Sequence, residues 1–148
     1  MTRLNGGKKP TALSLFSGGG GMDIGVLAAG FEVVACVEQD RHCVATLEEN
    51  VRREGRGSRV YHRDVRTLNP QEIMRELEIR AGDLGLLFGG PPCQPFSQIG
   101  KQGSLADERG SLIFEMMRFA EAFRPKAILI EQVKGLMTAP DQRGRRGG

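Results

Sequence analysis

The sequence predicts an α/β fold built on a parallel sheet of strand order 3-2-1-4-5, and three observations carry that prediction. Short continuous apolar runs alternate with segments of helical periodicity, the pattern of strands buried on both faces beneath crossover helices. Right-handed crossovers put the first run beside the fourth, with the order reversing between them. A glycine-rich turn follows the first run, and a proline-stiffened segment bearing one cysteine follows the fourth. Both therefore face the crevice in which open α/β sheets bind ligands.

The elements follow in order. Residues 1–10 are polar and basic and read as a disordered lead-in. Thr11–Phe16 is the first strand, and Ser17-Gly18-Gly19-Gly20-Gly21 turns the chain into a short helix, Met22 to Ala29, that Gly30 stops. Phe31–Val37 is the second strand, running out at Glu38-Gln39-Asp40. Arg41–Arg53 follows as a helix with Val44, Leu47 and Val51 on one face. Ser58–Tyr61 is a third, short strand leading to Asp64-Val65. Asn69-Pro70 reads as a cap with proline at the first helical position, and Ile73, Met74 and Leu77 form an apolar stripe reaching about Arg80. The fourth strand is Leu84–Phe88. A long polar loop, Gln98–Gly110, precedes a helix at Ser111–Phe123 with Leu112, Ile113, Met116, Phe119, Ala120 and Phe123 inward. Lys126–Ile130 is the fifth strand, ending at Glu131.

Composition narrows the function classes. The 148 residues make one domain, and 39% hydrophobic with 26% charged residues is ordinary for a globular chain. No run approaches the roughly 18 apolar residues of a membrane span, and the start lacks a signal-peptide core. Cys36, Cys43 and Cys93 show no C-x-x-C spacing, which argues against a zinc site or a disulfide framework and fits a reducing cytoplasm. A net charge of +3, with basic residues clustered at both ends and around Arg52–Arg66, permits an anionic partner without requiring one.

The crevice has a chemistry of its own. A glycine-rich strand-to-helix turn brings bare backbone close to a ligand. Glu38 lies 20 residues beyond Gly18, the interval at which a carboxylate takes the hydroxyls of a ribose. A nucleoside-containing cofactor follows. A dinucleotide fingerprint would need Gly or Ala where Asp23 or Ile24 stands, so a cofactor without a pyrophosphate, such as S-adenosylmethionine, fits better. Asp64 adds a second carboxylate at the same sheet edge, suited to an amine or a base edge; a helix cap is the alternative. Gly89 and Gly90 read as a tight exit from the fourth strand, and Pro91, Pro92 and Pro95 stiffen the segment carrying Cys93. A lone cysteine is most often a small buried hydrophobe. Here Glu131 lies one strand away. A thiolate adding to one carbon of an electron-poor ring, with a carboxyl group on a ring nitrogen, would leave the adjacent carbon able to attack a methyl group.

With these residues in view, the chain resembles the first half of the DNA (cytosine-5) methyltransferases. The segments that carry the resemblance are Leu15–Gly25, Glu38-Gln39-Asp40, Asp64-Val65, Gly89–Ser97, Gly100-Lys101-Gln102, Asp107–Gly110 and Glu131–Gly135, in the family's order and at compatible spacing over about Leu13 to Met137. The resemblance implies a Rossmann-like S-adenosylmethionine-dependent methyltransferase fold, incomplete because the later strands are missing. It implies S-adenosylmethionine held by Phe16 against the adenine, by Gly18, Gly20 and Gly21, by Glu38 at the ribose, by Asp64 at the adenine amine, and by Val65 and Leu112. It implies Cys93 as the nucleophile toward cytosine and Glu131 as the group on the ring N3. Gln94, Ser97 and Arg109 fall in the loop that closes over a flipped base. The implied partners are DNA containing a target cytosine and a complementary methyltransferase chain or C-terminal half.

Two departures stand out. The family's Glu-Asn-Val is Glu131-Gln132-Val133 here, which moves the amide by one methylene. The family's Gln-x-Arg-x-Arg segment and target-recognition domain have no counterpart; residues 11–137 read as a partial catalytic domain and 138–148 as a flexible basic tail. The chain alone is therefore expected to be inactive. A split subunit, a truncated product, a non-catalytic S-adenosylmethionine-binding remnant and an RNA-directed relative stay open, with a dinucleotide oxidoreductase more distant.

Overall fold

The computed structural model describes residues 8–92 and 111–132. The expected lead-in before Lys8, the loop from Cys93 to Gly110 and the tail from 133 onward lie outside the described residues.

The described chain folds as β1 (Thr11–Leu15), α1 (Gly21–Ala28), β2 (Glu32–Glu38), α2 (Arg41–Arg53), β3 (Arg59–His62), a single 3-10 turn (Val65–Thr67), α3 (Pro70–Glu76), β4 (Leu86–Gly89), α4 (Ser111–Phe123) and β5 (Ala127–Ile130). All four strand pairings are parallel, in the order β3-β2-β1-β4-β5. The expected order and all five strands are present. The boundaries differ by one or two residues, except at α3, which stops at Glu76 rather than reaching Arg80 because the backbone turns left-handed at Glu78 (φ 55°).

Alternation along the strands sorts the core onto two faces. Leu13, Leu15, Ala35, Val37 and Leu87 pack beneath α3 and α4 with Ile73, Met116, Phe119 and Phe123. Ala12, Val33, Cys36, Leu86 and Phe88 pack beneath α1 and α2 with Val26 and Leu47. Asp40 caps α2, its carboxylate accepting the N–H groups of His42 and Cys43 at 2.9 Å each, and Asn69 caps α3 through Gln71 N–H at 3.0 Å. These caps fix where each helix leaves the carboxyl edge of the sheet.

Gly89 has a different role from the one its sequence suggests. It is the last residue of β4, and a Cβ there would overlap the carbonyl oxygen of Leu15 on β1. A Cβ on Gly90 would meet the Glu131 carboxylate at 3.0 Å. Close approach of the Leu15 carbonyl, and not a turn, demands glycine at 89, whereas at 90 the neighbour is the movable end of a side chain. At the far edge, Ala127, Ile128 and Leu129 of β5 are exposed.

Candidate functional site

The site begins where β1 ends. Phe16 takes a left-handed backbone (φ 53°), a conformation a bulky side chain adopts only where its surroundings impose it. Gly18 and Gly20 then carry φ of 54° and 89°, so the loop doubles back into α1. It is laced to the end of β2 by Ser17 N–H donating to the Val37 carbonyl at 3.1 Å and Gly18 N–H donating to Glu38 Oε2 at 2.8 Å. Glu38 Oε1 accepts the N–H groups of Gln39 and Asp40, each at 2.8 Å. Three backbone donors thus orient the carboxylate with one lone-pair direction left for a ligand.

Phe16, Val37, Glu38, Asp64, Val65 and Leu112, together with Gly90 and Pro92, line a cleft of about 260 Å³. It lies along the carboxyl ends of β3, β2, β1 and β4, reaching the point where the strand order reverses. Of the residues expected to hold a cofactor, Phe16, Glu38, Asp64, Val65 and Leu112 are brought together on its walls, while Gly18 and Gly20 form the adjoining loop and Gly21 opens α1. An aromatic ring and aliphatic side chains beside two carboxylates suit an apolar planar base, ribose hydroxyls and an exocyclic amine. The volume is just under the roughly 300–1,000 Å³ of small-molecule pockets, the scale of a nucleoside.

Asp64 serves two purposes. As a cap it accepts Arg66 N–H at 2.9 Å, and its carboxylate is also gripped by the Arg66 guanidinium, with Nη2 2.6 Å and Nε 3.0 Å from Oδ2. The Arg66 side chain holds its carboxyl below the usual carboxylate range. Val65 and Leu112 come from different elements that Arg118 of α4 ties together. Its guanidinium donates to the carbonyls of Val65 at 2.9 Å and Leu68 at 2.8 Å, and to Glu115 at 2.8 Å.

On the β4–β5 side, Glu131 follows β5, its N–H donating to the Gly89 carbonyl at 3.0 Å and its carboxylate lying against Gly90. Gln132 Nε2 donates to the Pro91 carbonyl at 2.8 Å. The longer amide therefore reaches the segment that leads into Cys93. Cys93, Gln94, Ser97 and Arg109 lie outside the described residues.

Sequence reasoning missed a buried polar network behind the glycine loop. Ser17 Oγ donates to Ser14 Oγ at 2.8 Å, Ser14 Oγ to Asp23 Oδ2 at 3.1 Å, and the Cys36 thiol to Asp23 Oδ1 at 3.2 Å. Burial raises the carboxyl of Asp23, outweighing its hydrogen bonds, and pushes the Cys36 thiol far up. A serine inside the apolar β1 and an aspartate in an otherwise apolar α1 were the available signals.

Fold and cleft together define a doubly wound α/β domain with a nucleoside-sized cleft at the carboxyl edge of its sheet. The chain belongs to the C-5 cytosine-specific DNA methylase family, whose model matches residues 11–145. Members of this family use S-adenosylmethionine as the methyl donor. The chain is 40% identical over 125 residues to the type II methyltransferase M.AquIA of Picosynechococcus, covering 84% of this chain and 49% of that protein. It is 37% identical over 131 residues to M.NgoFVII of Neisseria gonorrhoeae, covering 88% and 32%. A solved structure of a DNA modification methyltransferase encoded within an E. coli prophage superposes with a TM-score of 0.70 at 33% identity, covering 87% of this chain and 33% of the other. The chain thus spans between about a quarter and a half of the length of the curated relatives it matches.

Proposed function

We propose that this chain is the cofactor-binding and nucleophile-bearing part of a DNA cytosine-5 methyltransferase, transferring the methyl group of S-adenosylmethionine to carbon 5 of a target cytosine, and that it works with further polypeptide. The observation carrying this reading is the convergence of Phe16, Glu38, Asp64, Val65 and Leu112, drawn from four separate segments, on one cleft. S-adenosylmethionine, when bound, supplies an electrophilic methyl group. In this reading Phe16 packs on the adenine, Asp64 accepts its amine and Glu38 accepts a ribose hydroxyl. Cys93 as thiolate adds to carbon 6 of the flipped cytosine, and Glu131 holds a proton at the ring N3, so the electron pair collects at carbon 5. Once carbon 5 is methylated, loss of its proton returns the pair to the ring and expels the Cys93 thiolate. Gln132, through Pro91, steadies the approach to the nucleophile.

Further polypeptide is supported by the β5 edge. Ile128 and Leu129 are 44% and 48% exposed, and the strand has no charge or proline to discourage pairing. The test is incorporation of labelled methyl groups into cytosine-containing DNA. The chain alone is expected to give none. Adding a polypeptide that carries the remaining strands and the target-recognition part of a matching methyltransferase should give incorporation that C93A abolishes. Incorporation by the chain alone would refute the requirement for a complement. Cofactor binding without incorporation in any pairing would make the chain a binding protein.

A further inference from the structure

We infer that Arg66 is a positioning residue for the cofactor. It acts through Asp64, locking that carboxylate so that a single acceptor faces the cleft and a purine with an exocyclic amine is selected. The inference rests on reading the cleft as the S-adenosylmethionine site and deepens it.

The geometry is specific. Asp64 Oδ1 accepts the Arg66 backbone N–H at 2.9 Å and Nε at 3.1 Å; Oδ2 accepts Nη2 at 2.6 Å and Nε at 3.0 Å. An ionised carboxylate offers about four lone-pair sites, and a capping N–H with a forked guanidinium, its Nε shared between the two oxygens, leaves roughly one of them. One N–H of an amine satisfies it. A 6-oxo group at the same place would set lone pair against lone pair. Arg66 and Asp64 both line the cleft. The Arg66 side chain is 52% exposed, so its worth to global stability is small. Its effect is one of direction. Without the fork, Asp64 keeps its cap but is free to swing away from the base.

Binding of S-adenosylhomocysteine and S-inosylhomocysteine to the full chain, measured by calorimetry, tests this. The wild type should prefer the adenosyl compound by about tenfold. D64N should weaken adenosyl binding by about tenfold. R66A should weaken it roughly threefold and shrink the preference for adenine, with R66K recovering part of the loss. In the double variant D64N/R66A, the second substitution should cost nothing further. Equal losses on both compounds in R66A, or losses that add in the double variant, would show that Arg66 does not act through Asp64. A wild type that binds neither compound, or a D64N variant that binds as well as wild type, would instead remove the assignment of the cleft, and this inference with it.

Discussion

From β1 the sheet extends in two directions, and the two halves are finished to different degrees. Toward β2 and β3, strand ends, glycine loop and α1 are cross-tied by buried side chains, and the carboxylates of Glu38 and Asp64 are already held by backbone donors or a guanidinium. Toward β4 and β5 the same kind of apolar strand is built, yet burial falls from complete in Leu86–Gly89 to exposure in Ala127, Ile128 and Leu129. On the face of α1 and α2, Phe88 is fully buried while its register partner Leu129 is 48% exposed. Among the described residues, the cleft side is held in place by side-chain hydrogen bonds and the far side is left exposed. Affinity for a small ligand and dependence on a larger partner can therefore be probed separately.

Phe88 and Leu129 give the sharpest contrast. Truncating the buried ring, F88A, removes its contacts and leaves a cavity among Leu86, Cys36 and their neighbours, and should cost about 3–5 kcal/mol. L129A removes side chain that is already half in water and should cost less than about 1 kcal/mol in the chain alone. Urea denaturation of both variants measures the difference. Equal losses would mean that β5 is covered as fully as β4. L129K should leave the chain's stability near wild type while abolishing methyl transfer with the complement.

The glycine pair divides along the same line. G89A places a Cβ against the Leu15 carbonyl, backbone against backbone between the two central strands, and should cost at least about 3 kcal/mol. G90A meets only the Glu131 carboxylate, the free end of a side chain that can rotate away, and should cost about 1 kcal/mol or less. Its consequence should appear instead in the complemented methyl-transfer rate, because Glu131 would be displaced. A G89A variant as stable as G90A would overturn the close-approach account.

The legible part of the structure was what local pattern dictates. Apolar runs, the Asn69-Pro70 cap and crossover handedness delivered every strand and the sheet order, whereas the Asp40 cap of α2 emerged only in the fold. The same order predicts that Phe16, Glu38, Asp64 and Leu112 meet, since all four flank the carboxyl edge near the switch point. What stayed hidden depended on side chains meeting across the fold. Nothing in the local pattern says that Leu15 will crowd Gly89, that Arg66 will fold back on Asp64, or that Ser14, Asp23 and Cys36 will converge, because the partners lie on separate elements or in a turn. α3 ended early for a comparable reason: Leu77 and Ile79 pack against the core cluster, but the left-handed Glu78 between them redirects the chain.

Asp23 offers the finest test of the finished half. It is only 2% exposed and sits in the first turn of α1, where the helix N-terminus favours a negative charge, yet desolvation outweighs that and its hydrogen bonds. Its carboxyl is raised in the folded state, so the native chain binds the proton more tightly than the unfolded chain. The resulting contribution is fully present below the ordinary carboxyl range and is lost as pH rises from that range through the raised folded value. In Asp23→Asn there is no proton to lose. Whatever constant offset the amide introduces at Ser14 and Cys36, the stability of the variant relative to wild type should therefore increase between pH 4 and pH 7. Denaturation series across that interval measure it. Parallel profiles would mean that Asp23 titrates as it does in the unfolded chain, and that Ser14, Cys36 and the start of α1 compensate fully for its burial.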